Sequence, residues 1–403
     1  MYVGGMIRNA AKSASGNVVY ALLQAISLVL IARNGGPTDA ALFFLAQAIA
    51  TPLSLLAGLR LKDRLAVIHG PQPFRKSMIR MAWVSAVLLL PASAAWLALS
   101  DFDSAVTAIA ILIANLCQGP IWAIQGRRAA SADFFVPSQL NSLLGVTSTV
   151  AILFGYTLGG GLKLGALAMA GLWAAVALVA TARELRVDEY PNEPIGSLSD
   201  DLSAGAASMA QVGQLSIVRL GIAQAAGATA LAVIGTSSTV VQIGAIVVLG
   251  VQASLSNLLS QAAAEGETFE RVAELRTVVD RVSTFGVILA LPISFVFGPP
   301  AISFVFGEDL RPLPMTMALI GGSAVLLYGS MLLALLAIAL NRPQRLFVAN
   351  LIAMAVTAVV VLPLSAEYGE FGGAIALSSG LLARYLAIRK SCDAQSALEL
   401  DVV

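Results

Sequence analysis

Apolar residues in this chain come in long runs rather than in alternation, and the runs match the thickness of a bilayer. A helix needs about 20 consecutive apolar residues to cross the hydrocarbon core. Such windows occur near 15–33, 39–59, 79–99, 105–124, 139–158, 164–182, 206–227, 229–255, 283–306, 314–340, 346–365 and 371–389, and they predict twelve spans. Pro52, Pro91, Pro120, Pro292 and Pro363 fall inside or near the ends of these windows, where freed backbone carbonyls kink a helix and line a cavity. Two longer polar segments separate the runs. Residues 183–201 hold two prolines and several acids and read as a linker. In 264–281, Phe269, Val272, Leu275, Val279 and Val282 recur at helical spacing, with Glu267 and Arg271 at i,i+4. That pattern predicts an amphipathic helix lying on the inner membrane surface.

Composition agrees with a membrane chain. Of the 403 residues 58% are hydrophobic and 12% charged, against roughly 25% charged in soluble proteins. A net charge of +1 excludes a nucleic-acid role built on a basic surface. What matters is where the charges fall, because cytoplasmic loops collect Lys and Arg. With both termini inside, only Arg33, Lys163 and Arg311 of the 24 cations face outward, and Arg219 lies within a span. Adding or losing one span would invert half of this pattern. The expected topology is therefore a membrane crossed twelve times with both termini cytoplasmic. No small-residue cleavage site follows the first apolar run, which reads as an uncleaved span. Cys117 lies in a span and Cys392 in the tail, so neither spacing nor depth points to a disulfide or thiolate metal site.

The chain repeats itself. "NSLLGVTSTVAILFGYTLGGGLKLGALAMAG" from Asn141 and "NLIAMAVTAVVVLPLSAEYGEFGGAIALSSG" from Asn350 each begin with Asn and run through a Val/Thr-rich span. Each then turns at glycines and re-enters through Gly-Ala-Leu-Ala or Gly-Ala-Ile-Ala. These are the fifth and sixth spans of one half and the eleventh and twelfth of the other. An even number of spans per half gives both halves one orientation. The expected fold is thus an all-α polytopic membrane protein with twelve transmembrane helices in two six-helix bundles, 1–190 and 191–403. A pseudo-twofold axis along the membrane normal would relate them.

Polar residues inside spans carry the chemistry, since such groups usually face a cavity or the bundle interior. Asn17, Tyr20, Gln24 and Ser27 follow a 3-4-3 spacing and form one stripe. Ser208, Gln211 and Arg219 share a face at the start of the second half, and the second and fourth spans add Gln47, Thr51, Ser54, Asn115, Gln118 and Trp122. Interhelical hydrogen bonding is one use of such groups; a hydrated central cavity is the other. For Arg219 the alternatives are a snorkelled or capping cation and a guanidinium that pairs with phosphate through its fork. Acids are nearly absent from the spans, Asp39 and Glu367 lying near outer ends, so a cavity holding this cation would prefer anions. No GxxxxGK[ST], HExxH or paired carboxylates occur, and His69 stands alone in a basic loop. An enzyme is not expected, and no cofactor or metal is either.

At three places the chain resembles the Wzx-type polysaccharide flippases of the multidrug/oligosaccharidyl-lipid/polysaccharide (MOP) superfamily. These are "LVLIARNGGPTDAALFFLAQAI" (28–49), "ISFVFGEDLRP" (302–312) and "AIALNRPQRLFVANLIAMAVTAVVVLPLSAEYGEFGGAIA" (337–376). The first departs from the family's Gly-Pro-acid-x-aromatic-Gly pattern. The resemblance implies export of a polyprenyl-pyrophosphate-linked oligosaccharide to the outer leaflet by alternating access between two bundles, for O-antigen, lipopolysaccharide, capsule or exopolysaccharide synthesis. The partners implied are that lipid-linked oligosaccharide, with an anionic pyrophosphate head and a polyprenyl tail, together with membrane lipids and other polysaccharide-assembly proteins. On this reading Arg219 meets the pyrophosphate, and Gln24, Asn17, Gln47, Gln211, Tyr20 and Asn115 bind substrate. A multidrug or cation antiporter of the same superfamily is the alternative; it calls for a buried carboxylate.

Overall fold

The computed structural model describes residues 2–62, 65, 74–130, 133, 135–186, 198–265, 268–340 and 342–392. His69 and the middle of the expected linker, 187–197, lie outside them. The described residues form eleven α-helices and one 3-10 turn, with no strand among them. In chain order the helices are α1 (Tyr2–Ala57), α2 (Phe74–Leu99), α3 (Phe102–Ala130), α4 (Phe135–Thr157), α5 (Gly161–Arg186) and α6 (Leu198–Ala225). They continue with α7 (Gly227–Glu265), α8 (Thr268–Phe306), α9 (Pro314–Ala339), α10 (Pro343–Tyr368) and α11 (Glu370–Ser391). Helix α1 carries the first two spans as two arms. They are broken at Gly36, whose φ of 66° and ψ of −162° are non-helical and suit glycine, and Pro37 follows. Every predicted span thus falls on helix. Among the described residues nine helical stretches are apolar and long enough to cross a bilayer. Helices α6 and α7 are not among them.

The chain divides into two compact units, Met1–Val212 and Gly213–Val403. The division falls inside α6, downstream of the boundary expected at 190/191. The first unit holds the two arms of α1, α2 to α5 and the start of α6, the second holds the rest of α6 and α7 to α11, and the packing partners repeat. In the first, α3 packs on α5, α4 on α5 and α2 on α3; in the second, α9 packs on α11, α10 on α11 and α8 on α9. The third segment of each unit is the least buried: Trp83, Leu90 and Leu99 of α2 are exposed, as are Phe285, Ile288 and Phe297 of α8. Apolar, exposed surface of this kind suits lipid contact.

Without a hydrophobic driving force between helices in lipid, small residues bring the backbones together. The core of the first unit is largely alanine, with Ala50, Ala108, Ala114, Ala151 and Ala166 around Ile111 and Trp173. Glycines mark the closest approaches. A Cβ on Gly155 would meet the Gly161 carbonyl at 2.6 Å. One on Gly372 would overlap the Leu364 backbone, and one on Gly380 the Thr357 hydroxyl.

Ion pairs hold the basic ends of the segments. In the first unit Glu184 of α5, almost fully buried, accepts from Arg128 Nε at 2.8 Å and from Arg128 Nη2. Arg127 lies 3.7 Å from the same carboxylate and 5.0 Å over the Phe74 ring. In the second unit Asp280 of α8 accepts from Tyr385 at 2.7 Å and Arg389 at 2.8 Å. At the opposite ends Lys163 pairs with Asp103 at 2.6 Å and Arg311 with Glu308 at 3.5 Å. Asp101 caps α3 by accepting from the Ser104 N–H at 3.0 Å, and this bond holds its carboxyl below the usual range.

Glu184→Gln is expected to lower stability by about 1–2 kcal/mol. It leaves two arginines beside a neutral amide, and the loss is moderated because Arg128 is a third exposed. Thermal unfolding of the purified protein in detergent measures it; an unchanged midpoint would remove the cluster from the stability of the unit.

The amphipathic segment corrects one expectation. It is not a separate surface helix: Ala264 and Glu265 end α7, and from Thr268 on it forms the first turns of α8, which continues unbroken into the ninth span. Val272 and Val279 are buried against Leu259, Leu333, Leu336 and Ile388. Its apolar stripe is satisfied by protein, while Phe269 and Val282 remain exposed.

Candidate functional site

The stripe on the first arm of α1 faces α4. Asn141 donates to Asn17 Oδ1 at 2.7 Å and accepts from Gln125 at 2.7 Å. Gln24 donates to the Ser148 hydroxyl at 3.0 Å, and Ser27 lies 3.1 Å from the Thr149 hydroxyl. Gly145 of α4 sits against Tyr20 and Leu23, where a Cβ would come within 3.2 Å of the Tyr20 backbone. Asn17, Tyr20 and Gln24 therefore lie together, as their spacing predicts, in a seam between two helices. Their bonds commit them to that seam.

Gln47 accepts from Thr51 at 2.9 Å within its own helix and is half-buried. Asn115 is buried, donates to the Ile111 carbonyl and accepts from Gln118 at 3.4 Å. Gln211 is exposed and lines a cleft of about 260 Å³ in the first unit with Ser208, Trp122, Arg60 and Lys62. Gln47 and Asn115 thus make their bonds within their own helices.

In the second unit the polar face of α6 turns inward. Gln214 donates to the Leu377 carbonyl of α11 at 3.0 Å, and a Cβ on Gly380 would crowd its amide. Arg219 is 6% exposed, flanked by Val218 and Ile222, both fully buried. It does not snorkel out along the lipid face.

A second buried cation was counted among the cytoplasmic charges from sequence. Arg384 of α11 is 5% exposed and makes no ion pair among the described residues. Its Nε, the Asn350 Oδ1 and the Thr357 Oγ1 are buried with no hydrogen-bond partner among the described residues. Helical register brings these three close. Gly380 lies against Thr357 and the Ala353 carbonyl. From that crossing Arg384 is one turn further along α11, and Asn350 is a similar distance along antiparallel α10.

The contrast with the first unit is informative. At the repeat offset, Asn141 and Ser148 stand where Asn350 and Thr357 stand, and there the polar groups satisfy one another. In the second unit the stripe is open and an arginine adjoins it. The signal that would have found Arg384 is its spacing from Gly373, Leu377 and Gly380 on one buried face. Its nearness to the end of the span hid it.

No family model and no curated protein sequence matches the chain. Solved structures share its fold. A MOP superfamily transporter from Pyrococcus furiosus, whose binding pocket is described as having reverse polarity that suggests a different function, matches at 15% identity and TM-score 0.66. The alignment covers 98% of this chain and 96% of that one. An outward-facing multidrug-resistance MATE transporter of the MOP superfamily matches at 16% identity, the same coverages and TM-score 0.62. A mutant of the Vibrio cholerae MATE transporter VcmN matches at 15% identity, 98% and 97% coverage and TM-score 0.64. The chain therefore has the MOP transporter fold, an all-helical multi-pass membrane architecture of twelve segments in two six-helix bundles.

Proposed function

We propose that the protein is an exporter of an anionic amphiphile, and specifically a flippase for a polyprenyl-pyrophosphate-linked oligosaccharide. The observation that carries this reading is the charge inside the apolar runs of the second half. Its six spans contain no Asp or Glu, yet they hold two buried arginines, Arg219 and Arg384. Ionisable groups at membrane depth usually mark a functional site, and a guanidinium fork matches the oxygens of phosphate.

The two cations stand at different depths. Arg219 is five residues outward of Gln214, about 7.5 Å along α6, and Arg384 is four residues inward of Gly380, about 6 Å along α11. A pyrophosphate passing through the unit would meet one and then the other. Gln211, Gln47 and Asn115 serve the sugars in this reading, while Asn17, Tyr20 and Gln24 keep α1 on α4.

The second reading is a multidrug or cation antiporter, favoured by the MATE transporters that share the fold. The charge pattern runs against it, because a cationic drug or a coupling proton needs a carboxylate at depth. The pocket of the Pyrococcus furiosus transporter, described as of reverse polarity, is a precedent for a different cargo on this fold. Deletion of the gene followed by a leaflet assay of lipid-linked oligosaccharide separates the readings. Accumulation on the inner face is the expected result. Unchanged glycolipid together with increased dye sensitivity would sink the flippase and favour the antiporter.

A further inference from the structure

Three helices of the second unit meet at a polar spot beside Gly380. With no side chain at that position, α11 admits groups from two neighbours. A Cβ there would overlap the Thr357 hydroxyl of α10 and lie 2.6 Å from Gln214 Nε2 of α6. Two glycines of α6 close the third side, since a Cβ on Gly213 would lie 2.9 Å from the Met354 sulfur and one on Gly221 would crowd the Val361 methyls. Arg384 stands one turn inward of Gly380 on the same buried face of α11. Helical side chains lean toward the N-terminus of their own helix. The guanidinium therefore extends back toward Gly380, away from the inner end of the span.

Donors outnumber acceptors at this spot. A guanidinium carries five N–H groups and accepts nothing, and among the described residues Arg384 Nε, Thr357 Oγ1 and Asn350 Oδ1 are all buried without a hydrogen-bond partner. Gln214 gives one N–H to the Leu377 carbonyl at 3.0 Å and keeps the other. The three helices supply no counter-charge. The part of α6 in this unit has no Asp or Glu, and those of α10 and α11, Glu367 and Glu370, stand at the outer ends. Glu370 is engaged by the Leu313 N–H at 2.7 Å and the Thr316 hydroxyl at 3.2 Å. Asp280 of α8 is engaged by Tyr385 and Arg389.

We propose that a small monovalent inorganic anion of the chloride class binds here, held by the Arg384 guanidinium, the Thr357 hydroxyl and the Gln214 amide, with Asn350 on its inner side. One buried cation calls for one negative charge. A spherical ion accepts N–H and O–H donors from any direction, and helices packed this closely favour a monatomic ion. It neutralises Arg384 while no cargo is bound. The proposal deepens the flippase reading, in which the cargo's diphosphate meets the same arginine, and rests on that reading only for the exchange of ion for cargo.

The test uses the full chain in phosphatidylcholine nanodiscs without glycolipid. Sodium chloride replaces sodium gluconate at constant ionic strength, with thermal unfolding as readout, and inorganic pyrophosphate is titrated in parallel. The variants are Arg384→Gln, Thr357→Val, which keeps the side-chain shape and removes the hydroxyl, and Arg219→Gln. The expected result is saturable stabilisation of the wild type by chloride. Loss of a charge-assisted hydrogen bond should raise the half-saturating concentration by about tenfold or more in Arg384→Gln, with a smaller rise in Thr357→Val and none in Arg219→Gln. Equal midpoints of the wild type in chloride and gluconate would overturn the proposal, as would a chloride response unchanged in both Arg384→Gln and Thr357→Val. Stabilisation by pyrophosphate with no response to chloride would sink the ion site and leave the flippase reading standing. A chloride response that depends on Arg384, together with unchanged glycolipid in the leaflet assay, would keep the ion site and remove the flippase.

Discussion

Replacing Arg219 with alanine is expected to abolish transport, while lysine retains only a small part of it. A bidentate guanidinium–phosphate pair contributes two charge-assisted hydrogen bonds, each worth about 1.5–3 kcal/mol. Removing both costs at least about 3 kcal/mol, more than a hundredfold in transport at limiting substrate. Lysine keeps the charge and loses the fork, so a loss of about tenfold or more remains. Complementation of a deletion strain, with expression and monodispersity checked for each variant, measures this. Full activity of Arg219→Ala at normal expression would take this residue out of the mechanism. Arg384→Gln provides the second arm: if both cations serve one anionic cargo, it too weakens transport, although its position on the face of α11 could not be recognised from charge counting.

The second large effect concerns packing. Gly372→Ala is expected to lower stability by about 2–3 kcal/mol, because the new Cβ would overlap the Leu364 carbonyl and lie 2.7 Å from the Ser365 nitrogen. Backbone does not move aside as a flexible side chain would. The α10–α11 pair must separate, and with it the stripe carrying Asn350, Thr357 and Arg384. Gly171→Ala is the control, since nothing lies within 4 Å of a Cβ there. Unfolding in detergent followed by fluorescence-detected size exclusion should show a large drop for the first and little change for the second. Equal midpoints would mean that the close helix contact does not limit stability.

The twelve apolar runs and the even halves were legible because lipid imposes one rule on the whole chain: every backbone polar group must be satisfied within helices. Composition and spacing alone therefore dictate the spans, and the repeat from Asn141 and Asn350 dictates matching partners in each unit. The polar stripe of Asn17, Tyr20 and Gln24 was equally visible, since a 3.6-residue period places residues on a face. Periodicity names the face and leaves open what lies opposite. Only the packed structure decided that this face meets α4, with Asn141 and Ser148 supplying partners. The first turns of α8 likewise pack on Leu333 and Leu336 instead of on membrane.

Arg384 and the cleft mark the same division. Charge counting sees a cation near the end of a span and assigns it to water. Burial depends on neighbours from α10 and α11 that are far apart or reversed in sequence. The left-handed turn at Leu59 and Arg60 has no local signature such as glycine; it is held by an apolar cluster gathered from the segment after α1 and from α2 and α3. The sequence by itself determined which segments are helix, how many spans there are, and that the apolar runs of the second half carry arginine and no acid. Tertiary structure decided which polar faces are sealed and which stay open, because satisfaction of a buried polar group is a property of its neighbours.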